Sequence, residues 1–201
     1  MKSFFIILLS LSLASANYSE ETIKKQYLKS YDYEKIQQYQ EAIKVLTPLY
    51  KQYSKGYTLN LRFGWLFYLD GKYSDALKFY KKASLINGYA INPKIGLIRV
   101  YLATASYGTA EIIAQEILKI DYYNYTSNLL LAQTLIAQGK YKIAEKIVKK
   151  MLLIYPTDIT FLEELAIIYK ATKSIYLKKL YRDILILDPN NIYVNSLNAR
   201  S

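Results

Sequence analysis

The sequence contains no cysteine and no histidine. Thiol nucleophiles, disulfides and Cys/His metal sites are therefore excluded, and so is the commonest general base. Any catalysis would rest on carboxylates, lysines, tyrosines or hydroxyls alone. Lack of cysteine leaves the redox compartment open, because a packed helical chain needs no disulfide staple. Chain breakers are also scarce, with 7 glycines and 4 prolines in 201 residues against 52% hydrophobic residues. That balance favours long helices over a turn-rich β fold, and it suffices for one sizeable core or one continuous stack of repeats. No Gly-rich phosphate loop, nucleophile elbow or metal-ligand spacing occurs. Beyond the amino terminus no stretch reaches transmembrane length without charges.

Tyrosine is abundant, with 23 copies. Its large apolar ring and single polar atom suit half-buried helix seams and binding surfaces equally. Richness in Tyr, Lys and Ile is also what AT-rich coding produces. Residues 1–16 read as an export signal. Lys2 supplies the positive start, Phe4 to Leu13 the short apolar core, and Ala14-Ser15-Ala16 the small-x-small cleavage pattern. The mature chain would begin at Asn17, followed by a short lead to residue 22. Retention of the segment as a membrane anchor is the alternative, although a permanent span needs about 20 apolar residues. No cysteine follows it, which excludes a lipid anchor. The expected location is outside the cytoplasm, in a bacterial periplasm or secreted.

Loss of Lys2 with that segment leaves 26 basic residues against the 16 acidic ones, a net charge of +10. Such an excess favours nucleic acid, anionic membranes or acidic polymers. For an exported chain an envelope surface or an acidic partner is the better expectation. The lysines are spread over second helices of the repeats described next (Lys78, Lys81, Lys82; Lys142, Lys146, Lys149, Lys150; Lys178, Lys179). A solvated outer face accounts for that spread as readily as a binding patch does.

Self-similarity organises the rest. Ala42, Ala76, Ala110 and Ala144 recur at one unbroken spacing, each preceded by a tyrosine three positions earlier: Tyr39, Tyr73, Tyr107 and Tyr141. Apolar residues follow at four and seven positions, for example Tyr80 and Ala83 after Ala76. In the unit 57–90, Phe63, Gly64 and Phe67 place rings beside a gap on one helix face, where a neighbouring helix can approach. Asp70-Gly71 ends the first helix, because Gly accepts a left-handed backbone, and Ser74 is a candidate cap for the second. Neither helix of such a pair can bury its apolar face alone, and stacking of successive pairs does so.

On these residues the chain resembles the tetratricopeptide repeat family, whose pattern has a large residue, then Leu-Gly, Tyr, Ala, an aromatic and a closing Pro. Unit 57–90 matches through Phe63-Gly64, Phe67, Gly71, Tyr73, Ala76, Tyr80 and Ala83, and unit 125–158 through Leu131-Ala132, Leu135, Gly139, Tyr141, Ala144 and Pro156. The resemblance covers 23–191 as units 23–56, 57–90, 91–124, 125–158 and 159–191. It implies an all-α solenoid, a right-handed superhelix of about five antiparallel helix-turn-helix repeats. Departures are evident. The family's usual tryptophan is replaced by Asn60 in the second unit. The first unit's opening helix is polar, with Lys29-Ser30 in place of Leu-Gly. Pro48 should kink the following helix. The fifth unit is one residue short near Ala171–Ser174 and has Leu177 where alanine is expected. Residues 192–201 form either the start of a final solvating helix or a frayed tail.

The resemblance also implies a concave groove lined by first-helix residues. Carried over, these are Tyr27 and Tyr31; Leu61, Trp65 and Tyr68; Ile95, Arg99 and Leu102; Leu129, Gln133 and Ile136. Trp65, the one tryptophan, would be either a groove anchor or packed core. Trp65, Tyr68 and Arg99 are the expected anchors, because aromatic residues and Arg dominate interface energies. The implied partner is another protein, presented as an apolar peptide or helix. The family's carboxylate-gripping groove uses Lys, Asn and Arg, which are mostly absent at these positions. Neither a cofactor nor a small-molecule substrate nor nucleic acid is expected. A carboxylate enzyme is the competing class, but its candidates Glu20-Glu21 and Glu163-Glu164 are sequence neighbours, which diverge on a helix.

Overall fold

The computed structural model describes residues 18–198 and contains eleven α-helices and no strand among them. The expected export segment, residues 1–16, and its cleavage point before Asn17 lie outside the described residues. The chain divides into two compact units, one ending at Gln52 and the other beginning at Tyr53.

The first unit is a hairpin of α1 (Glu20–Lys35) and α2 (Tyr39–Gln52). Ser19 Oγ caps α1 by accepting the Thr22 N–H at 3.2 Å. Glu20 and Glu21 sit in the first turn and Lys35 in the last, which complements the helix dipole. Only Ser30 of this polar helix is buried, whereas α2 buries Ala42, Leu46 and Leu49 at helical spacing. Pro48 removes one donor from the ladder without ending α2, which continues to Gln52.

The second unit runs α3 (Tyr57–Leu69), α4 (Tyr73–Ile86), α5 (Ile91–Ala103), α6 (Tyr107–Ile120), α7 (Tyr125–Ala137), α8 (Tyr141–Leu152), α9 (Ile159–Ala171), α10 (Leu177–Leu187) and α11 (Ile192–Asn198). Each helix packs on the next, and α3, α5, α7 and α9 also touch in succession. This is the contact pattern of an α-solenoid, hairpin stacked on hairpin. First helices begin at 57, 91, 125 and 159, and second helices at 73, 107 and 141, so the sequence period persists in the backbone. Ala76, Ala110 and Ala144 are fully buried. A side chain without a γ atom at these points lets the paired helices come together, and the apolar residues one and two turns later fill the seam.

Gly71 ends α3 with φ +72°, as the Asp70-Gly71 pair suggests. Ser74 does not cap α4. The helix starts at Tyr73 with Lys72 at the cap position, because the left-handed residue reverses the chain at once and leaves Ser74 inside the first turn. The shortened fifth repeat shows its effect in α10, where Leu177 is half-buried and Leu180 and Ile184 take the core positions. Residues 192–198 form helix α11. Asn191 accepts the Val194 N–H at 3.0 Å, and Val194 is fully buried.

Candidate partner-binding site

The first-helix face of the second unit carries an aromatic cluster whose position depends on two glycines. The Tyr80 ring, from α4, is buried between α3 and α5. A Cβ on Gly64 would lie 2.7 Å from that ring, and one on Gly96 2.3 Å from it. Both distances are below any real carbon contact, so only glycine leaves room for the ring. Gly64 therefore admits a side chain where the sequence suggested the approach of a helix. One repeat later the sizes are exchanged, with Ile98, Leu130 and Ala114 at the corresponding positions of one buried cluster.

Beside this seam Trp65 is half-buried, its ring stacked on Tyr68 at 5.7 Å between centroids with planes 27° apart. The Arg99 guanidinium carbon, from α5, lies 5.9 Å from the centre of the Trp65 ring, within cation–π range. Leu61 and Tyr68 pack against the Tyr80 cluster. Burial raises the Tyr80 hydroxyl well above the ordinary tyrosine range, opposed by the nearby Arg99 charge. Tyr80 is thus a neutral wall of the cluster. Trp65, Tyr68, Arg99 and Leu61 are therefore brought together from two repeats. Behind them Phe63, Phe67 and Phe79 form a second stack with centroids 5.1–6.1 Å apart, which fixes the side of α3 that faces inward.

Other expected positions have different surroundings. Gln133 Nε2 donates to Glu164 Oε1 at 2.7 Å, so its amide ties α7 to α9. Tyr27 and Tyr31 stand on α1 in the other unit, the first half-buried and the second exposed. Glu163 and Glu164 diverge as helix geometry requires. Glu163 accepts from Asn191 Nδ2 at 2.7 Å, while Glu164 is buried against Gln133. Burial raises the Glu164 carboxyl above the usual range, and the Glu163 charge adds to the shift.

The structure also explains the residue at the family's tryptophan position. Asn60 is fully buried, and its Nδ2 donates to the carbonyls of Ser54 and Gly56 at 2.9 and 2.7 Å. Asn128, two repeats on, donates likewise to Tyr122 and Asn124 at 3.1 and 2.9 Å. Each asparagine fastens the turn before its own helix, satisfying carbonyls that a tryptophan could not reach. The visible signal was an asparagine in the buried phase of the helix, recurring at the same place in alternate units. Glu164 carried no such signal, because its partner Gln133 comes from the preceding repeat, and Tyr80, although at a repeat position, gave no sign of the two glycines that frame its ring.

No protein-family model matches the sequence, and no curated protein matches it either. Solved structures match in fold. A tetratricopeptide repeat protein from Parabacteroides merdae aligns with a TM-score of 0.73 at 18% identity over 80% of this chain, which spans 63% of that protein. PilW, a widely conserved type IV pilus biogenesis factor, aligns at 0.73 and 14% identity over 85% of this chain and 79% of its own. YrrB, a tetratricopeptide repeat protein with an unusual peptide-binding site, aligns at 0.65 and 10% identity over 87% and 90%. At such identities the likeness establishes a tetratricopeptide-like helical repeat fold and leaves the ligand to the site itself.

Proposed function

We propose that this chain is an exported, non-enzymatic scaffold that holds a peptide or helix of a partner protein in a groove centred on Trp65, Tyr68 and Arg99. The observation that carries the reading is the half-buried Trp65 ring, braced by Tyr68 on its own helix and by Arg99 from the next repeat. A rigid aromatic surface with one ordered cation beside it loses little conformational entropy when a partner covers it. Leu61 extends the apolar floor, and Gln133 contributes through the α7–α9 tie rather than as a free donor. The ligand that fits is an amphipathic segment with apolar anchors at helical spacing and a carboxylate near Arg99. Tyr27 and Tyr31 supply a further aromatic surface on α1. The description of YrrB as peptide-binding agrees with this class of ligand.

An arrayed library of amphipathic peptides tests the proposal. Acidic-apolar peptides should bind the full chain and shift its fluorescence, of which Trp65 is the only indole source. Trp65→Ala or Arg99→Ala should weaken the best binder by roughly 30-fold, about 2 kcal/mol, as for an interface hot spot. Binding that ignores both substitutions would remove the site, and absence of any binder would remove the scaffold reading.

A further inference from the structure

The two edges of the second unit differ sharply in character. Turns joining the first helix of a repeat to its second are polar, reading Asp70-Gly71-Lys72, Thr104-Ala105-Ser106, Gln138-Gly139-Lys140 and Thr172-Lys173-Ser174, with Ile143, Ile175 and Tyr176 as exposed apolar residues beside them. The last turns of the second helices and the links to the next repeat lie at the opposite edge, and they expose large apolar side chains beside polar residues such as Asn87, Asp121 and Asn190. Ile86, Ile120 and Ile154 recur there once per repeat, with Leu187 following, and all are exposed. Leu85 and Leu153 stand 87% exposed at equivalent places and Ile186 77%. Tyr89, Tyr122, Tyr123 and Tyr155 complete the row. Compositional richness in Ile and Tyr would populate both edges, so a one-sided row of this length calls for a partner.

Charge indicates which partner. At the α8–α9 turn an open cavity of about 610 Å³ is lined by Lys146, Lys149, Lys150, Leu152 and Leu153, so cations rim apolar side chains directly. Lys150 is committed to the protein, its Nζ 3.9 Å from the centre of the Tyr122 ring and donating to the Tyr122 carbonyl at 3.1 Å and to Asn128 Oδ1 at 2.5 Å. Lys149 forms an ion pair with Glu145 at 2.6 Å. The carboxylates of this edge accept hydrogen bonds from neutral neighbours and keep their charge. Asp121 accepts from Asn124, Asp158 from Phe161 N–H and the Tyr125 hydroxyl, and Asp188 from Asn191. Aliphatic tips, tyrosines at their level and lysines with apolar stems just behind form the residue order of a membrane–water interface.

We propose that this edge docks on an anionic lipid bilayer, with the Leu, Ile and Tyr side chains entering the interface and Lys146 and Lys149 meeting the lipid phosphates. The inference does not rest on the Trp65 groove, which lies on the first-helix face and not at these turns. Docking in this way would leave that face open to a protein partner while holding the repeats at the bilayer surface.

The absence of native cysteine makes a local test direct. Leu153→Cys and Gln138→Cys, one on each edge, are labelled separately with an environment-sensitive fluorophore in the full chain. Each is mixed with vesicles of phosphatidylcholine containing about one-third phosphatidylglycerol. A local probe is needed because the apolar segment at residues 4–13 can attach the chain to vesicles whichever edge faces the lipid. The Leu153→Cys label should brighten at least about 2-fold while the Gln138→Cys label stays near its aqueous level. Adding Lys146→Ala should shift the phosphatidylglycerol dependence of the Leu153→Cys signal by about 5-fold. Equal signals at both edges, no signal at Leu153→Cys, or indifference to Lys146→Ala would each overturn the proposal. Peptide binding at the groove should be unchanged in the Leu153→Cys chain, which keeps the two readings separable.

Discussion

Gln37, Gly71, Ala105, Gly139 and Lys173 follow one another at the repeat interval, and all five have φ between 53° and 72°. This is left-handed backbone, which costs a residue with a Cβ about 1 kcal/mol and costs glycine nothing. Two glycines satisfy the demand, and three other residues bear the strain. Ala105→Gly should therefore raise stability by about 0.5–1 kcal/mol in urea denaturation, net of the extra freedom glycine gives the unfolded chain. Gly139→Ala should lower it by about 1 kcal/mol, a purely backbone effect because nothing lies within 4 Å of the added carbon. A loss of stability in Ala105→Gly would contradict the assignment.

Glu164 supplies a second residue-scale test. Burial raises its folded pKa above the unfolded value, so between those two values the folded state binds the extra proton. Stability from this group is thus highest at low pH and declines as pH rises through that window. Glu111 acts with the opposite sign. Lys140 and Gln138 donate to it at 2.8 and 2.9 Å and hold its carboxyl below the usual range, so its contribution is lost as pH falls. Glu164→Gln keeps an acceptor for Gln133 and removes only the first dependence. The variant should be more stable than the parent near neutrality, and the gap should close in acid. A constant gap from acid to neutral pH would rule out a shifted Glu164.

At the scale of helices, stacking depends on matched volumes across three elements. Tyr80 occupies the space left by Gly64 and Gly96, while one repeat later Ala114 faces Ile98 and Leu130. Gly96→Leu alone should overpack the seam and cost about 3 kcal/mol or more, since the ring has nowhere to go. Gly96→Leu combined with Tyr80→Ala and Gly64→Ile reproduces the next repeat's solution and should recover at least half of that loss. Additive damage in the triple variant, measured by thermal unfolding, would show that the seams are not interchangeable. Alanine positions were legible from the phase of the repeat, because a small residue at a crossing point is a local requirement. The partner of each glycine was not, because the ring that fills its space comes from another helix. Ser74 illustrates the same limit in a turn. Its residue type suits a cap, yet the reversal at Gly71 had already set the start of α4 at Tyr73.

At the scale of the molecule, the export expectation and the groove rest on different kinds of information. The expected export segment, Lys2 through Ala16, is a linear pattern, readable without any fold. The proposed groove is a surface shared between repeats, and the family resemblance assigned Trp65, Tyr68 and Arg99 to it without fixing their spacing or angles. The structure supplied those values, and it also committed Gln133 to Glu164, an arrangement invisible in a chain where the two belong to different repeats.

The order of apolar and small residues alone determined that this chain would be helical, paired and periodic, because each helix must cover one stripe and local spacing records where that stripe lies. Tertiary structure decided which rings share a pocket, which carboxylate is dry and which edge is left uncovered. Those properties depend on distances between residues from different repeats, and such distances exist only once the hairpins have stacked.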